Sequence, residues 1–524
     1  MKRLLTVFMV IWLGPLLLRA DETRSINVLH IISDDLRPVL GCYGDPLAKT
    51  SATDRLAAQG VQFDRAYVQY PICGPSRASF LSGLRPQTTD YFGWDYPPDV
   101  PLMPAWFRSN GYFTAQLGKV FHQRHILGNP ESSIRVLSPP DAWDVADLCA
   151  TTDDPCGYGY LYSAALRKED PRATRHVLAR GSLCPPGFKG GWFWQEWAET
   201  DLRDEQTTDG IVVRRAAAAI ERSVKEGKPF YVAAGLRRPH QVLVAPKRYF
   251  DLYPLESIPA PPEEPADHLK KVPVLALNYE KSKAGRIYSD EDRRRLWRAY
   301  YANVSFVDAQ VDVLMKTLDR LDLWKNTVVV FHSDHGWQLG EHGGIGNKDV
   351  LFDESTHTPL IIAAPGYGGS GVTCPHPVEL VDLFPTLAGL CELQPPANLD
   401  GVDLRASLKN PRGPAPRAGA VSVVKRHVKD RIGRGFSGRP LTLEKDAGPA
   451  RRVLGRSVRT ERWCYVEWDD GDLGIELYDQ RHDSHEWNNL ANDPEFAGVR
   501  NELRTLLRQL DLTAGAGHRP PASR

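Results

Sequence analysis

The sequence has no excess of charge of either sign. Its 65 lysines and arginines balance 65 aspartates and glutamates over 524 residues, so the formal net charge is zero. Because proteins that bind nucleic acids or membrane surfaces through their overall field carry an excess of positive charge, we expect neither partner. Internal repeats and low-complexity tracts are lacking as well, and the hydrophobic fraction of 42% is typical of a globular chain. This length suits one large α/β domain with a smaller one.

Long apolar runs are lacking after the first twenty residues. Lys2 and Arg3 precede an apolar run over residues 4–18, and the small residue Ala20 precedes two acidic residues. This layout is typical of a cleavable secretory signal; the alternative is a short membrane anchor, for which the run is brief. We therefore predict a signal peptide over residues 1–20. The mature chain, without a membrane span, is then exported to a periplasmic, secreted or lysosome-like compartment.

Cysteine is scarce, with eight residues in the chain. Cys73 stands in a motif of its own, and seven is an odd number for full pairing of the others. Connectivity cannot be derived from sequence alone. The candidate disulfides are one within the group Cys149, Cys156 and Cys184, and one between Cys374 and Cys391.

The motif around Cys73 is an unusual way to build ordinary structure. Cys73-Gly74-Pro75-Ser76-Arg77 is followed by a short apolar run that ends in Ser-Gly. We expect Gly74 and Pro75 to make a sharp turn that leaves the Cys73 side chain facing outward, and Ser76 to cap the helix that follows. A helix N-terminus with Arg77 on its first turn makes an anion-binding corner. On spacing alone, a buried structural cysteine is the alternative.

Two apolar, β-branched runs read as strands that are buried on both faces of a parallel sheet. If these strands are neighbours, the side chains that follow them converge on one cation, because ligands gather at the carboxyl ends of strands and oxygen donors suit Ca²⁺ or Mg²⁺. A solvated turn is the alternative for either pair alone. The runs and the residues that follow them are 26–33 with Asp34 and Asp35, and 327–333 with Asp334 and His335.

Four basic residues follow other predicted elements. Lys119 and His122 come after a predicted strand that ends near residue 118, His240 follows the predicted strand 229–235, and Lys348 ends the glycine-rich loop 340–348. A lysine can hold an anionic oxygen, and a histidine can move a proton near neutral pH. The alternatives for the first two are a surface lysine and a capping histidine. We expect the loop before Lys348 to be flexible.

Two further segments have no candidate catalytic residue: a predicted insertion and a predicted long helix. Residues 123–209 read as a loop-rich insertion whose Trp192, Trp194 and Trp197 could stack on sugar rings, although packing onto the body is the more common use of such side chains. Residues 290–321 read as a long helix, and its apolar stripe is interpreted as core. The stripe comprises Tyr300, Val304, Val307, Val311 and Leu314.

The end of the chain reads as a separate unit. A stretch rich in Gly, Pro, Arg and Lys over residues 412–452 is interpreted as a linker. Beyond it, residues 462–468 and 475–479 alternate like antiparallel strands joined by Asp-Asp-Gly. The predicted organisation is therefore a signal peptide over 1–20, a catalytic domain over 21–449 with an insertion near 123–209, and a C-terminal subdomain over 450–524.

The order Cys73-x-Pro75-x-Arg77, continued to Ser82-Gly83, resembles the signature of the type I sulfatases of the alkaline phosphatase superfamily. Ser-Asp334-His335-Gly and the early Asp-Asp pair are also what that resemblance requires. It implies an α/β fold with a large mixed, mostly parallel central sheet flanked by helices, plus a small C-terminal antiparallel sheet. It also implies that a formylglycine-generating maturation enzyme oxidises the cysteine to formylglycine before the chain folds.

The resemblance further implies a mechanism and a set of residues. One hydroxyl of the hydrated formylglycine attacks sulfur, a histidine protonates the departing sugar oxygen, and the second hydroxyl expels sulfate and regenerates the aldehyde. The implied cation is Ca²⁺, with Mg²⁺ as the other possibility. Its ligands are Asp34, Asp35, Asp334, His335 and the oxygen derived from Cys73; the catalytic residues are Cys73, Arg77, Lys119, His122, His240 and Lys348.

Within the family, the resemblance is to the iduronate-2-sulfatase branch. It rests on Asp34-Asp-Leu-Arg-Pro, Gly118-Lys-Val-Phe-His and Arg238-Pro-His, while residues 50–54 and 343–353 depart from the usual pattern. The expected substrate is a sulfate ester of a sulfated carbohydrate. Two alternatives remain: a phosphodiesterase or phosphonate hydrolase on the same fold, and a non-catalytic binder of sulfated glycans in which Cys73 is unmodified.

Overall fold

A computed structural model gives the architecture of the chain. It describes residues 25–93, 96, 100–125, 134–136, 140–147, 197–241, 243–260, 262–277, 289–369, 371–428 and 451–513. The predicted signal peptide, Trp192, Trp194, Cys149, Cys156 and Cys184 lie outside these residues. Within the described ranges, no helix combines the length and the hydropathy that a membrane crossing requires.

Nineteen strands lie in the described parts of the chain. They are β1 Asn27–Asp34, β2 Val61–Tyr67, β3 Phe113–Gly118, β4 Gln123–His125, β5 Ile134–Val136, β6 Val145–Asp147, β7 Trp197–Thr200, β8 Phe230–Pro239, β9 Leu243–Pro246, β10 Thr327–Ser333, β11 Gln338–Leu339, β12 Ile345–Asn347, β13 His357–Thr358, β14 Leu360–Ala363, β15 Val372–Glu379, β16 Ala420–Val428, β17 Arg451–Arg459, β18 Trp463–Trp468 and β19 Ile475–Asp479.

The α-helices of the same ranges alternate with these strands. They are α1 Ser51–Gln59, α2 Cys73–Ser82, α3 Pro86–Thr89, α4 Met103–Ser109, α5 Thr208–Glu226, α6 Lys247–Phe250, α7 His268–Lys271, α8 Asp290–Arg320, α9 Asp353–Thr356, α10 Leu383–Leu390, α11 Arg405–Lys409 and α12 Ala497–Thr513.

A nine-stranded mixed sheet forms the centre of the molecule. Its order is β13-β2-β14-β10-β1-β8-β3-β6, and β15 pairs with β2. Strands β10, β1, β8, β3 and β6 run parallel to one another, whereas β14 is antiparallel to both β10 and β2. The predicted fold class is therefore confirmed, and β1 and β10 are neighbours, which is the condition for the residues that follow them to converge.

Helices cover both faces of this sheet because each central strand is apolar on both sides. On β1, Leu29 and Ile31 belong to one buried cluster with α1, α5 and α8, and Val28 and Ile32 belong to another with α2, α4 and α10. Helix α8 starts at a capping box in which Ser289 and Asp292 bond to each other's backbone N–H groups. Its predicted apolar stripe is confirmed: all five side chains are at most 1% exposed.

A second, four-stranded antiparallel sheet has the order β16-β17-β18-β19. The predicted strands of the tail and their antiparallel pairing are confirmed. The expected linker is wrong over part of its length, because β16 lies within residues 412–452 and pairs along β17. A composition averaged over some forty residues conceals a nine-residue strand. The division of the chain at residue 449 stays a prediction.

The candidate disulfide between Cys374 and Cys391 is wrong. Both residues are free cysteines, and both are buried. Cys374 lies on β15, whereas Cys391 follows α10, and each thiol packs in the apolar cluster behind the sheet. A small apolar side chain satisfies both positions, as free cysteine often does.

Candidate active site

The carboxyl ends of three central strands meet at one edge of the large sheet. Ser33 of β1 lies opposite Ser333 of β10, so Asp34 and Asp334 follow at the same level. On the other side of β1, Asp34 lies opposite Pro239 at the end of β8. The register alone therefore brings together the residues that follow three strands, as expected of ligand sites in open α/β sheets.

Helix α2 carries Cys73 into this edge, but its start differs from the prediction. The helix begins at Cys73 itself, with Ile72 preceding it and no side-chain cap bond. Pro75 is tolerated in the first turn because no intrahelical partner is needed there for its missing N–H group. Ser76 is consequently inside the helix, and its hydroxyl donates to the carbonyl oxygen of Asp334 at 2.5 Å. Cys73 is 2% exposed and faces inward, not outward.

Four buried side chains at this edge could bind one metal ion. Asp34, Asp35, Cys73 and His335 each offer a ligand atom, and these atoms lie within 4.8 Å of one another. His335 Nε2 is 3.2 Å from Cys73 Sγ and 3.3 Å from Asp35 Oδ1. Its Nδ1 lies 2.8 Å from the carbonyl oxygen of Gly336, which leaves Nε2 as the ligand atom.

Asp334, the fifth predicted ligand, lies beside this group with both carboxylate oxygens engaged. Its Oδ2 accepts a 2.8 Å bond from Arg77 Nε, and its Oδ1 accepts the backbone N–H of Asp35 at 3.1 Å. Arg77 is fully buried, and it also contacts Asp34 at 3.3 Å. Arg77 therefore ties helix α2 to the ends of β1 and β10.

Two lysines complete the ring around Cys73. Lys119 donates to Asp34, while Lys348 donates to Asp35 Oδ1 at 2.7 Å and lies 3.2 Å from Cys73 Sγ. The ammonium group of Lys348 also lies 5.1 Å from the centre of the Trp337 ring, where a cation–π interaction forms. Sequence reasoning missed Trp337, although its position two residues after His335 was a signal that it borders the site.

The segment that presents Lys348 forms a two-stranded ribbon over part of its length, and the expected flexibility of its loop stays a prediction. Strands β11 and β12 pair antiparallel, with Gln338 opposite Asn347. Beyond the ribbon, the backbone N–H of Asp349 donates to the carbonyl oxygen of Pro71 at 2.9 Å. Glycines with positive φ between the two strands permit the tight connection.

The position of Lys119 depends on a close approach between β3 and β8. A Cβ atom on Gly235 would lie 2.1 Å from the backbone carbon and oxygen of Lys119. Gly118 adopts a φ of +71°, and a Cβ there would meet the carbonyl oxygen of Gly235 at 2.3 Å. Only glycine fits at both positions, and the turn after β3 can then direct Lys119 toward Asp34.

Two of the predicted histidines also lie at this edge of the sheet. His122 is half-buried and forms a side-chain hydrogen bond with Cys73. His240 Nε2 lies 3.9 Å from Asp35 Oδ2, and its Nδ1 lies 2.6 Å from the carbonyl oxygen of Gln241. The structure thus brings all predicted catalytic and metal-ligating residues together at this edge of the sheet.

The electrostatics of the cluster favour negative charge on Cys73. Burial opposes ionisation of this thiol, but Lys119, Lys348 and His335 outweigh burial and hold its pKa well below the usual range. Burial raises the pKa of Asp334 to about 7 against the opposing effect of Arg77. For His335, the neighbouring Asp334 overcomes the effect of burial and raises the pKa to about 9.

Asp35 provides a direct test of whether a cation fits. Its Oδ2 atom is buried and has no hydrogen-bond partner in the described structure. Its backbone has a φ of +65°, a conformation that non-glycine residues rarely adopt and that clusters at functional sites. A buried carboxylate oxygen without a partner is costly unless a cation binds it, and carboxylate oxygens suit hard divalent ions. The donor set fits a divalent metal ion.

Comparisons with known proteins agree with this geometry. Residues 26–393 match the Sulfatase family, which is more than half of the chain. Iduronate 2-sulfatase of Homo sapiens is 35% identical over 418 residues, which cover 72% of this chain and 70% of that protein.

Solved structures share the architecture of the chain. A structure solved in complex with its substrate D-glucosamine-2-N,6-O-disulfate has a TM-score of 0.66 at 20% identity, covering 94% of this chain and 99% of the other. A phosphonate monoester hydrolase of Agrobacterium radiobacter has a TM-score of 0.68 at 22% identity, covering 93% and 96%. At such identities the likeness shows the alkaline-phosphatase-like fold alone. The family match over residues 26–393 and the 35% identical relative show that the chain belongs to the sulfatase family of sulfuric ester hydrolases.

Proposed function

We propose that this enzyme hydrolyses sulfate esters of a sulfated carbohydrate, in the manner of an iduronate 2-sulfatase, through a formylglycine made from Cys73 by a maturation enzyme. The observation that carries the proposal is the setting of Cys73 Sγ, which marks where the formylglycine oxygen would lie. It is 3.2 Å from both His335 Nε2 and Lys348 Nζ, and it is hydrogen-bonded to His122. The human relative is named iduronate 2-sulfatase, which supports a sulfated carbohydrate as the substrate class.

Asp34, Asp35 and His335 are the proposed ligands of a divalent cation, with Asp334 beside them and Ca²⁺ as the favoured ion. When bound, such an ion lowers the pKa of a coordinated hydroxyl and so supplies a nucleophile at neutral pH. The protein residues hold the ligands in place: Arg77 fixes Asp334, while Lys119 and Lys348 hold the two adjacent carboxylates.

The three basic side chains that hold these carboxylates are also the proposed binding groups for the sulfuryl oxygens. Arg77 and Lys119 are buried and Lys348 is largely buried, so their interaction with developing negative charge is weakly screened by water. Their positions are set by buried carboxylates before any substrate arrives. This preorganisation supports stabilisation of the transition state without rearrangement of charged groups.

Of the two histidines, His240 is the better proposed general acid. Burial lowers the pKa of His122 to about 4, and Lys119 acts in the same direction. His122 is therefore neutral near neutral pH, where it can accept a hydrogen bond but has no extra proton to give. His240 Nδ1 is engaged with the carbonyl oxygen of Gln241, so its Nε2 atom, 3.9 Å from Asp35 Oδ2, is the nitrogen that faces the site.

We predict that His240→Gln lowers kcat on a sugar sulfate by about 10²–10³-fold. On 4-nitrophenyl sulfate, whose leaving group needs no protonation, the loss should be less than about tenfold. The measurement is steady-state kinetics on both substrates, with His122→Gln as the matched control. Equal losses of kcat on both substrates would show that His240 is not the acid.

The proposal as a whole is tested by comparing two esters of one leaving group. The mature enzyme should hydrolyse 4-nitrophenyl sulfate with a kcat/KM at least about 10²-fold above that for 4-nitrophenyl phosphate or phenylphosphonate esters. The reverse preference would support the alternative of a phosphonate hydrolase, which the fold also accommodates. A 2-O-sulfated iduronate disaccharide then tests the branch of the family.

Export and domain organisation complete the proposal. Residues 1–20 are proposed to direct the chain out of the cytoplasm. The catalytic domain is proposed to extend to residue 449, with the C-terminal subdomain beyond it. The antiparallel sheet and helix α12 share one buried apolar cluster, which also takes in Tyr70 and residues 350–352 of the preceding domain.

A further inference from the structure

The backbone of Asp35 is held by side chains from distant parts of the sequence. Its φ of +65° is strained for an aspartate, and a strained residue persists only where its surroundings over-determine it. The N–H group of Asp35 donates to Asp334 Oδ1 at 3.1 Å, and the next N–H group, of Leu36, donates to Ser333 Oγ at 2.8 Å. Both of these partners belong to the end of β10.

A third partner comes from helix α8, on the other side of the turn. The Tyr300 hydroxyl donates to the carbonyl oxygen of Asp35 at 2.7 Å and accepts the N–H group of Arg37 at 2.9 Å. One hydroxyl thus bridges the residues on both sides of Leu36. A tyrosine hydroxyl has one proton to donate and lone pairs to accept, so both bonds form at once.

Tyr300 is itself held in place by the core of the protein. Its side chain is fully buried. One turn earlier on α8, Trp297 lies under the Arg37 guanidinium at 5.3 Å. Arg37 in turn pairs with Glu341 at 2.6 Å. Residues 35–37 are therefore held by hydrogen bonds both from helix α8 and from the end of β10.

We propose that Tyr300 is a positioning residue for the divalent cation: its hydroxyl holds Asp35 in the strained backbone conformation that aims the carboxylate, with its unpartnered Oδ2, into the metal site. This inference rests on the proposed function, since it concerns the same cation. Without the hydroxyl, Asp35 can relax toward an ordinary extended conformation. Its carboxylate then turns away from His335 and Cys73, and the ion loses a ligand that the fold otherwise presents in advance.

The test is the affinity of the full-length protein for Ca²⁺, measured by isothermal titration calorimetry, which does not depend on catalytic turnover. Tyr300→Phe keeps the buried ring and removes only the hydroxyl. We expect Ca²⁺ to bind it about tenfold more weakly, equivalent to about 1.4 kcal/mol. Ser333→Ala, which removes the hydroxyl that accepts from Leu36, should weaken binding in the same direction.

The matched control is Tyr301→Phe. This neighbour on α8 is also buried and also donates to a carboxylate, Asp45 at 3.0 Å, but that carboxylate is not part of the site. Its affinity for Ca²⁺ should stay within about twofold of the unsubstituted protein. The thermal unfolding midpoint, measured without the ion, reports any general loss of stability in each variant.

The outcomes separate this inference from the proposed function. If Tyr300→Phe binds Ca²⁺ as tightly as the unsubstituted protein, or if Tyr300→Phe and Tyr301→Phe weaken binding equally, Tyr300 has only a structural role and the inference is wrong. If the unsubstituted protein itself binds neither Ca²⁺ nor Mg²⁺, the proposed cation site is wrong, and the inference falls with it.

Discussion

Cys73→Ser should lower kcat by roughly 10⁴–10⁶-fold, as removal of a catalytic nucleophile does elsewhere. Serine has a single hydroxyl group. After transfer of the sulfuryl group it has no second hydroxyl with which to expel sulfate, so turnover stops at a covalent sulfate ester. The measurement combines steady-state kinetics with intact mass, which should show the trapped ester in the variant after incubation with substrate.

Cys42→Ser is the control for this prediction. Cys42 is also a free cysteine, but it lies beside Asp54 at the start of the chain and away from the metal-binding side chains. Its substitution should leave kcat unchanged.

The peptide that contains Cys73, taken from protein secreted by its native host, should have the lower mass expected when a thiol is oxidised to an aldehyde. An intact Cys73 thiol in fully active protein would contradict the proposal that formylglycine is the nucleophile. An intact thiol in inactive protein that still binds sulfated glycans would support the alternative of a non-catalytic binder.

Removal of the divalent cation with a chelator should lower kcat by on the order of 10³-fold, since a metal ion contributes several kcal/mol to charge stabilisation. Addition of Ca²⁺ or Mg²⁺ should restore activity. Asp35→Asn should raise the concentration of ion needed for half-maximal recovery, because it removes a charge and turns an amide group toward Lys348, which now donates to Asp35 at 2.7 Å.

The control for this substitution is Asp45→Asn, since Asp45 is half-buried and accepts hydrogen bonds but lies outside the metal cluster. Its requirement for the ion should match that of the unsubstituted enzyme. Full activity of the chelated enzyme, with no residual metal by elemental analysis, would rule out a catalytic cation. Activity that returns with either ion at the same concentration in Asp35→Asn and in the unsubstituted enzyme would remove Asp35 from the ligand set.

Much of the fold could be read from the chain because the strongest signals were local. Apolar β-branched runs marked β1 and β10, and acidic residues directly after both runs indicated that the two strands end at one site. Neither observation needs knowledge of distant contacts beyond the rule that parallel strands present their carboxyl ends together. The resemblance around Cys73 then linked these ends to the remaining basic residues.

What the sequence could not show were the conformations that tertiary contacts impose. The strained backbone of Asp35 leaves no local signature, because its stabilising groups come from Asp334, Ser333 and Tyr300. Tyr300 itself was correctly assigned to the core stripe of α8, and its hydroxyl is the part that periodicity cannot interpret. Residue propensity predicted that Ser76 caps the helix, although the helix starts three residues earlier.

The pairing of β1 with β10 has a consequence for how the protein is made. His335 and Cys73, which are in contact in the finished site, are 262 residues apart in the chain. At a synthesis rate of roughly 5–20 residues per second, the ribosome needs about ten seconds to a minute to reach His335 after Cys73 has been added. Throughout that interval the central sheet lacks β10, and Cys73 has no completed site to be buried in. The order of synthesis thus gives a modifying enzyme a period in which to reach a residue that the folded protein encloses.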